Sequence, residues 1–248
     1  MIPKVIHYCW FGGKPLPKSA QKCIKSWQTF FPDYEIKRWD ESNFDVNQIP
    51  YTRDAYKAGM FAFVSDYARF WVIYNYGGIY FDTDVEVVKS LDDIIDTGPF
   101  MGVEHLSHDK ISVNPGLGFC AFAGIPALKD LLGIYEGLCF INDQVELSSM
   151  NIVEITTRCF LREGLRKFPQ IQQCSGFTIY PVDYFCPIDY KTRELRITDN
   201  TRTIHHFAES WISKSTRFKN ALGRIFGAEF ISMLVKIKRI LVSKRCLH

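Results

Sequence analysis

The stretch MFAFVSDYARFWVIYNYGGIYFDTDVEVV, residues 60–88, decides the fold. From Met60 to Tyr76 it is apolar or aromatic nearly all round, and its only charges are Asp66 and Arg69. That pattern predicts a buried helix, and the Gly77-Gly78 pair after it suits a left-handed C-terminal cap. Ile79 to Val88 then reads as one strand, strongly apolar up to Asp82 and Asp84. Strand side chains alternate, so the two carboxylates are expected on the same side, near the strand's end. At spacing i, i+3, Asp66 and Arg69 share a helix face. Folding the helix back beside the strand points all four residues at one pocket.

Working outward, Lys4 to Trp10 (KVIHYCW) reads as a buried first strand, broken by the Gly/Pro-rich 11–17. Ser19 to Phe31 reads as a helix and Tyr34 to Trp39 as a second strand. Strand, loop, helix, strand is an α/β opening. Downstream, helices are expected at Ile125–Gly137 and Asn151–Lys167, a strand at Ile179–Val182, and a polar hairpin-like region at Asp189–Thr203 before Ile204-His205-His206. Open α/β sheets bind ligands beyond the carboxyl ends of their strands. There the first strand ends in Trp10-Phe11-Gly12-Gly13, where an aromatic ring can stack on a base or simply join the core. Neither GxGxxG nor GxxxxGK[ST] occurs, so dinucleotide and P-loop readings have no support.

The chain has 248 residues, 47% hydrophobic and 23% charged, which excludes a disordered polypeptide. Its eight cysteines are scattered without a CxxC pair, and reduced, buried thiols are the expectation rather than disulfides or a zinc site. No run reaches the ~18 uncharged apolar residues of a membrane span, and the N-terminus has no signal-peptide layout. A cytoplasmic protein is expected. Net charge is +3, but residues 214–248 hold nine Lys/Arg and one acid, leaving −5 on residues 1–213. Apolar residues recur at helical spacing through that tail, including Leu222, Ile225, Phe226, Met233, Ile237 and Leu241. It reads as a basic amphipathic helix on the inner, anionic face of a membrane, each base adding ~1 kcal/mol near the surface. The alternative is packing on its own domain.

Two neighbouring carboxylates repel, and a divalent cation relieves the conflict. Hard Mn²⁺ or Mg²⁺ prefers such oxygen ligands, and His206 is the candidate third ligand. Trp211 has one indole N–H to offer a phosphate oxygen. Asn114, in the turn-rich Asn114–Phe119 loop, is read either as a ligand for a sugar hydroxyl or as a turn-former. Asp143 and Glu146 are acceptor-side acids or a solvated helix start.

Four passages carry a family resemblance: IPKVIHYCWFGGKPLP at 2–17, SDYARFWVIYNYGGIYFDTDVEV at 65–87, IYPVDYFCPI at 179–188 and IHHFAESW at 204–211. Together they resemble glycosyltransferase family 32, sugar-nucleotide transferases with a DXD sugar-binding region. The resemblance implies an α/β fold of the nucleotide-diphospho-sugar transferase type, GT-A, over 1–213. It also implies a divalent metal, a UDP-sugar ahead of a GDP-sugar, and retention of the donor's α configuration. It gives Asp82 and Asp84 the metal, diphosphate and ribose, and Asp66 and Arg69 the donor sugar. It lines the nucleoside pocket with Ile6 to Trp10, His7 among them, and closes His206 and Trp211 over the diphosphate. Family members often have Thr-Gly-Pro near residue 156, where this chain reads Ile155-Thr156-Thr157-Arg158, a departure on the acceptor side.

The reading is thus a metal-dependent retaining hexosyltransferase acting on a glycan or lipid-linked acceptor, with no nucleic-acid partner. Two rivals stand beside it. The apolar strand followed by Asp82-Thr83-Asp84-Val85 also fits a haloacid-dehalogenase-type phosphatase, although the later GDxxxD-like strand end such an enzyme needs is missing. A catalytically silent membrane-bound scaffold is the other.

Overall fold

The computed structural model describes residues 1–140, 151–189 and 192–208. Trp211, Asp143, Glu146, the 213/214 boundary and the basic tail lie outside these. The chain divides into two compact units, Met1–Ile188 with Leu195–His206, and Asp189–Glu194 with Phe207–His248. In the second unit the Asp189 amide donates to the Glu194 carbonyl (2.9 Å), and the Arg193 guanidinium lies 5.6 Å from the Phe207 ring centre. The elements named below belong to the first unit, and they form an α/β fold, the class expected.

Its opening follows the sequence: β1 (Val5–Cys9), α1 (Lys18–Phe30) and β2 (Glu35–Trp39), with β1 and β2 parallel. A short helix α2 (Pro50–Lys57) starts at a proline, whose missing N–H costs nothing in a first turn. Then comes α3 (Phe61–Tyr76), buried on most of its faces through Phe63, Val64, Tyr67, Phe70, Val72 and Ile73. Gly77, at φ 65°, ends it, and its amide still donates to the Ile73 carbonyl.

The single strand expected over Ile79–Val88 is two. β3 (Gly78–Tyr80) runs parallel to β1. The chain then leaves the sheet, and the Val85 amide closes a turn on the Asp82 carbonyl at 3.0 Å. β4 (Val85–Val87) pairs instead with β10 (Thr203–His205), antiparallel, in a separate two-stranded sheet. Asp82-Thr83-Asp84 is turn chemistry inside an apolar run, and the turn wins because β4 finds other partners. Helix α1 clamps β4 from below: Trp27 Nε1 donates to the Val85 carbonyl (2.7 Å), and Ser26 Oγ accepts from the Val87 amide (2.9 Å).

After the single turn α4 (Asp92–Ile95) come β5 (Phe100–Leu106), β6 (Ile111–Val113), a 3₁₀ turn (Pro115–Leu117) and β7 (Phe119–Ala121). Helices α5 (Pro126–Glu136) and α6 (Ile152–Arg162) fall within the expected spans. Asn151 is the N-cap of α6, its Oδ1 accepting from the Glu154 amide, and so precedes the helix. The late strand is shifted to β9 (Phe177–Tyr180), behind β8 (Gln172–Cys174), because Pro181 cannot extend a ladder. Pro181 instead caps the short helix α7 (Val182–Phe185). The main sheet is eight-stranded in the order β2-β1-β3-β7-β5-β9-β8, with β6 on β5. Strands β2, β1 and β3 are parallel, and β7 runs antiparallel to both β3 and β5. Cys9, Cys23 and Cys120 are buried free thiols. Among the described residues no helix is long and apolar enough to cross a membrane.

Candidate functional site

The turn after β3 holds the site. Asp82 sits at the carboxyl end of β3 with both carboxylate oxygens engaged: Oδ2 accepts from Arg69 Nη1 at 3.1 Å and Oδ1 from the Tyr80 hydroxyl at 3.0 Å. Arg69 projects from α3 and forks between two acids, since its Nη2 donates to Asp66 Oδ1 at 2.9 Å. Its guanidinium also lies 5.0 Å from the Tyr80 ring centre. Asp66 is 7% exposed and Arg69 4%, so this is a core cation between carboxylates, not a solvent-face pair. Burial pushes the Asp66 carboxyl up to about 7, with Arg69 pulling it down and Asp82 adding to the rise. Burial alone lowers a guanidinium's affinity for its proton, but Asp82, Tyr80 and Asp66 outweigh that and hold Arg69 charged. Asp66 gains a further donor in the Ile152 amide, the first residue of α6.

Asp84, two residues on, meets a histidine. The antiparallel register of β4 and β10 sets His205 opposite Val85, and His205 Nε2 lies 3.2 Å from Asp84 Oδ1. Ligand atoms of Asp82, Asp84 and His205 all lie within 4.8 Å of one another. Two carboxylates and one imidazole form a donor set that suits Mn²⁺ or Mg²⁺.

The placement of His206 corrects the metal expectation. Its Nε2 lies 2.8 Å from Glu86 Oε2, and the ion pair is extended by Lys22 at 3.4 Å from Glu86 Oε1. One histidine turns in and one out, as the preceding Ile204 implies, but the register makes His205 the inward one.

The nucleoside side is also redistributed. Ile6 is wholly buried in the core. His7 is buried with both ring nitrogens engaged: Trp39 Nε1 donates to Nδ1 and Nε2 donates to the Gly77 carbonyl, each at 3.0 Å. That pair of bonds fixes the neutral tautomer, and burial depresses the imidazole to about 4. Neither side chain is presented to a ligand. Trp10 keeps a partly exposed ring, its Nε1 donating to the Lys14 carbonyl at 2.6 Å.

Asn114 does form a turn. Its Oδ1 accepts from the Gly116 amide at 2.6 Å, capping the 3₁₀ turn, while its Nδ2 donates to Glu104. Gly116 backs directly onto the site: a Cβ there would lie 2.3 Å from Asp82 Oδ2, 2.9 Å from Asn114 Oδ1 and 3.2 Å from Arg69 Nη1. Sequence reasoning missed Tyr80, Glu104, Gly116 and His205. The apolar Tyr80 position and the doubly glycine-marked 114–118 loop carried a faint signal; the other two depend on strand pairing.

Comparison with known proteins falls on this region. Residues 17–101 match the family described as a glycosyltransferase sugar-binding region containing a DXD motif. The chain is 34% identical over 98 residues to inositol phosphoceramide mannosyltransferase 3 of Schizosaccharomyces pombe, covering 38% of this chain and 27% of the relative. It is 28% identical over 109 residues to mannosyl phosphorylinositol ceramide synthase CSH1 of Saccharomyces cerevisiae, covering 41% and 28%. The chain thus spans little more than a quarter of these relatives' length. Among solved structures, PaToxG glycosyltransferase aligns with a TM-score of 0.46 at 16% identity, over 66% of this chain and 70% of that one. The matched segment resembles a glycosyltransferase sugar-binding region containing a DXD motif, and it includes the passage at 65–87.

Proposed function

We propose that the protein is a metal-dependent retaining glycosyltransferase on a GT-A-type frame. It moves a hexose from a nucleotide diphosphate sugar, UDP- or GDP-linked, to a glycan or lipid-linked acceptor. The observation that carries this reading is the convergence of Asp82, Asp84 and His205 at the carboxyl end of β3, beside the buried Asp66–Arg69 pair, with Asp66, Arg69, Asp82 and Asp84 inside the matched segment. Two relatives are named for mannosyl transfer or synthesis on inositol-containing ceramides, which puts mannose among the candidate hexoses and a lipid among the acceptors.

Asp82, Asp84 and His205 would hold the cation, which when bound supplies positive charge against a departing diphosphate. The protein's own groups do the rest. Arg69 is held charged and immobile by its fork, so it needs no reorganisation to stabilise anionic oxygens, an effect worth ~3–4 kcal/mol for a well-placed donor. Asp66, fixed by Arg69 and the Ile152 amide, stands where sugar hydroxyls can donate to it. Trp10 offers its ring to the base. Residues 214–248 would dock the enzyme on anionic lipid, as their charge and spacing suggest.

The test is a panel of UDP- and GDP-hexoses assayed for Mn²⁺-dependent hydrolysis and transfer, with Asp84→Ala beside the wild type. We expect that variant to lose at least 100-fold in turnover and to lose metal-dependent nucleotide binding; undiminished turnover would refute the site. For the tail, deletion of 214–248 should lower partitioning onto phosphatidylserine vesicles, and equal partitioning would remove the membrane claim.

A further inference from the structure

Glu104 enters the site through an irregularity in β5. The strand pairs with β6 at Val103↔Val113 and then at His105↔Ser112, so Glu104 is the extra residue of a β-bulge. Bulges take a side chain out of the ladder and re-aim it, often next to an active site. Here the re-aimed carboxylate meets Asn114, whose Nδ2 donates to Glu104 Oε2. Asn114 in turn lies against the rim of the cluster, because the space at Gly116 is bounded by Asn114 Oδ1, Asp82 Oδ2 and Arg69 Nη1. The charge of Glu104 also adds to the field at His205. β5 runs in the same sense as β3, each being antiparallel to β7, so Glu104 lies toward the ligand-binding end of the sheet.

Asn114 is engaged at both ends, its amide oxygen capping the 3₁₀ turn and its nitrogen holding Glu104, which leaves it one further N–H and one lone pair. Glu104 differs. Among the described residues no protein group donates to its Oε1, although the side chain is half-buried. A carboxylate oxygen that no protein group fills can take its donor from a ligand, and hydrogen bonds to charged acceptors are the strong ones. On the glycosyl-transfer reading, we infer that Glu104 is a sugar-contacting residue: Oε2 holds Asn114, and Oε1 accepts a hydrogen bond from a hexose hydroxyl of the donor or the acceptor.

Two variants separate contact from bracing. Glu104→Gln keeps an oxygen for Asn114 but removes the charge, whereas Glu104→Ala removes both. Assayed with Mn²⁺ and the active UDP- or GDP-hexose, Glu104→Gln should lose about 10- to 100-fold in kcat/KM, the range for a lost hydrogen bond to a charged group. Its affinity for Mn²⁺ with the sugar-free nucleoside diphosphate should stay within about twofold by the same argument, since no hexose is present. If the hydroxyl is the donor's, donor KM rises and acceptor-free hydrolysis falls. If it is the acceptor's, acceptor KM rises. Wild-type kinetics in Glu104→Gln with a loss only in Glu104→Ala would make Glu104 a brace for Asn114 and overturn the contact. So would an equal loss of sugar-free nucleotide affinity. A wild type that turns over no sugar nucleotide sinks the proposed function and this inference together; an active wild type with an unaffected Glu104→Gln sinks only the role of Glu104.

Discussion

Gly116 shows how narrowly the site is drawn. It needs no left-handed backbone, yet a Cβ there would meet the Asp82 carboxylate at 2.3 Å. That oxygen is the one Arg69 holds, so a methyl group must displace either the acid or the arginine. We expect Gly116→Ala to fold, with a melting temperature within a few degrees of wild type, and to lose about tenfold or more in Mn²⁺-dependent turnover, in line with the rate cost of ångström-scale misplacement. Full activity in that variant would show that Asp82 is not held where the turn puts it. Asp82 and Asp84 were legible in the sequence because carboxylates are conspicuous at the end of an apolar run. Asp66 and Arg69 were legible for the same reason, as the only charges on a core helix. His205 was not legible, because choosing between adjacent histidines needs the register of β10 on β4, a pairing across more than a hundred residues.

The Gly77-Gly78 hinge joins the element that supplies Arg69 to the strand that supplies Asp82. Gly78 has φ 102°, and a Cβ there would lie 2.6 Å from the Val5 carbonyl oxygen and 3.0 Å from His7 Nε2. Backbone strain and collision act together, so Gly78→Ala should destabilise by about 2–4 kcal/mol, read as a lower urea midpoint. Gly124 is the control: φ is +78°, but nothing lies within 4 Å of the added Cβ. Gly124→Ala should cost only the conformational strain, about 1 kcal/mol. Comparable losses at both sites would mean that close packing at Gly78 contributes little. At this scale the helices read well from local pattern, and β1, α1 and β2 were recovered nearly in place. The failures share a cause. Residues 79–88 look like one strand because alternation records local geometry and not the partner, and the partner changes after Phe81. β5, β6 and β7 were overlooked because short strands in a mixed sheet carry little period of their own.

His7 ties the first unit together, linking β1 to Trp39 of β2 and to the Gly77 carbonyl at the end of α3. The bond from Trp39 to Nδ1 requires the neutral ring, since an imidazolium has no acceptor nitrogen, and burial depresses its pKa from 6.5 to about 4. In the unfolded chain the imidazole takes its proton near 6.5, before the folded form does. Stability is therefore fully present above pH 6.5 and falls as pH drops toward 4, because the unfolded state then binds more protons. The depression corresponds to about 3 kcal/mol over that window. His205 complicates the raw profile, since burial lowers it but Asp84, Asp82 and Glu104 together outweigh that and raise it, giving a slope of the opposite sign. The informative quantity is a difference: urea midpoints of wild type and His7→Gln at pH 7 and pH 4.5. The variant should be less stable at pH 7, having lost the acceptor for Trp39, and the gap should shrink markedly at pH 4.5. A gap that stays constant between the two pH values would mean that His7 takes its proton alike in the folded and the unfolded chain, and that the Trp39 bond to Nδ1 does not set the stability.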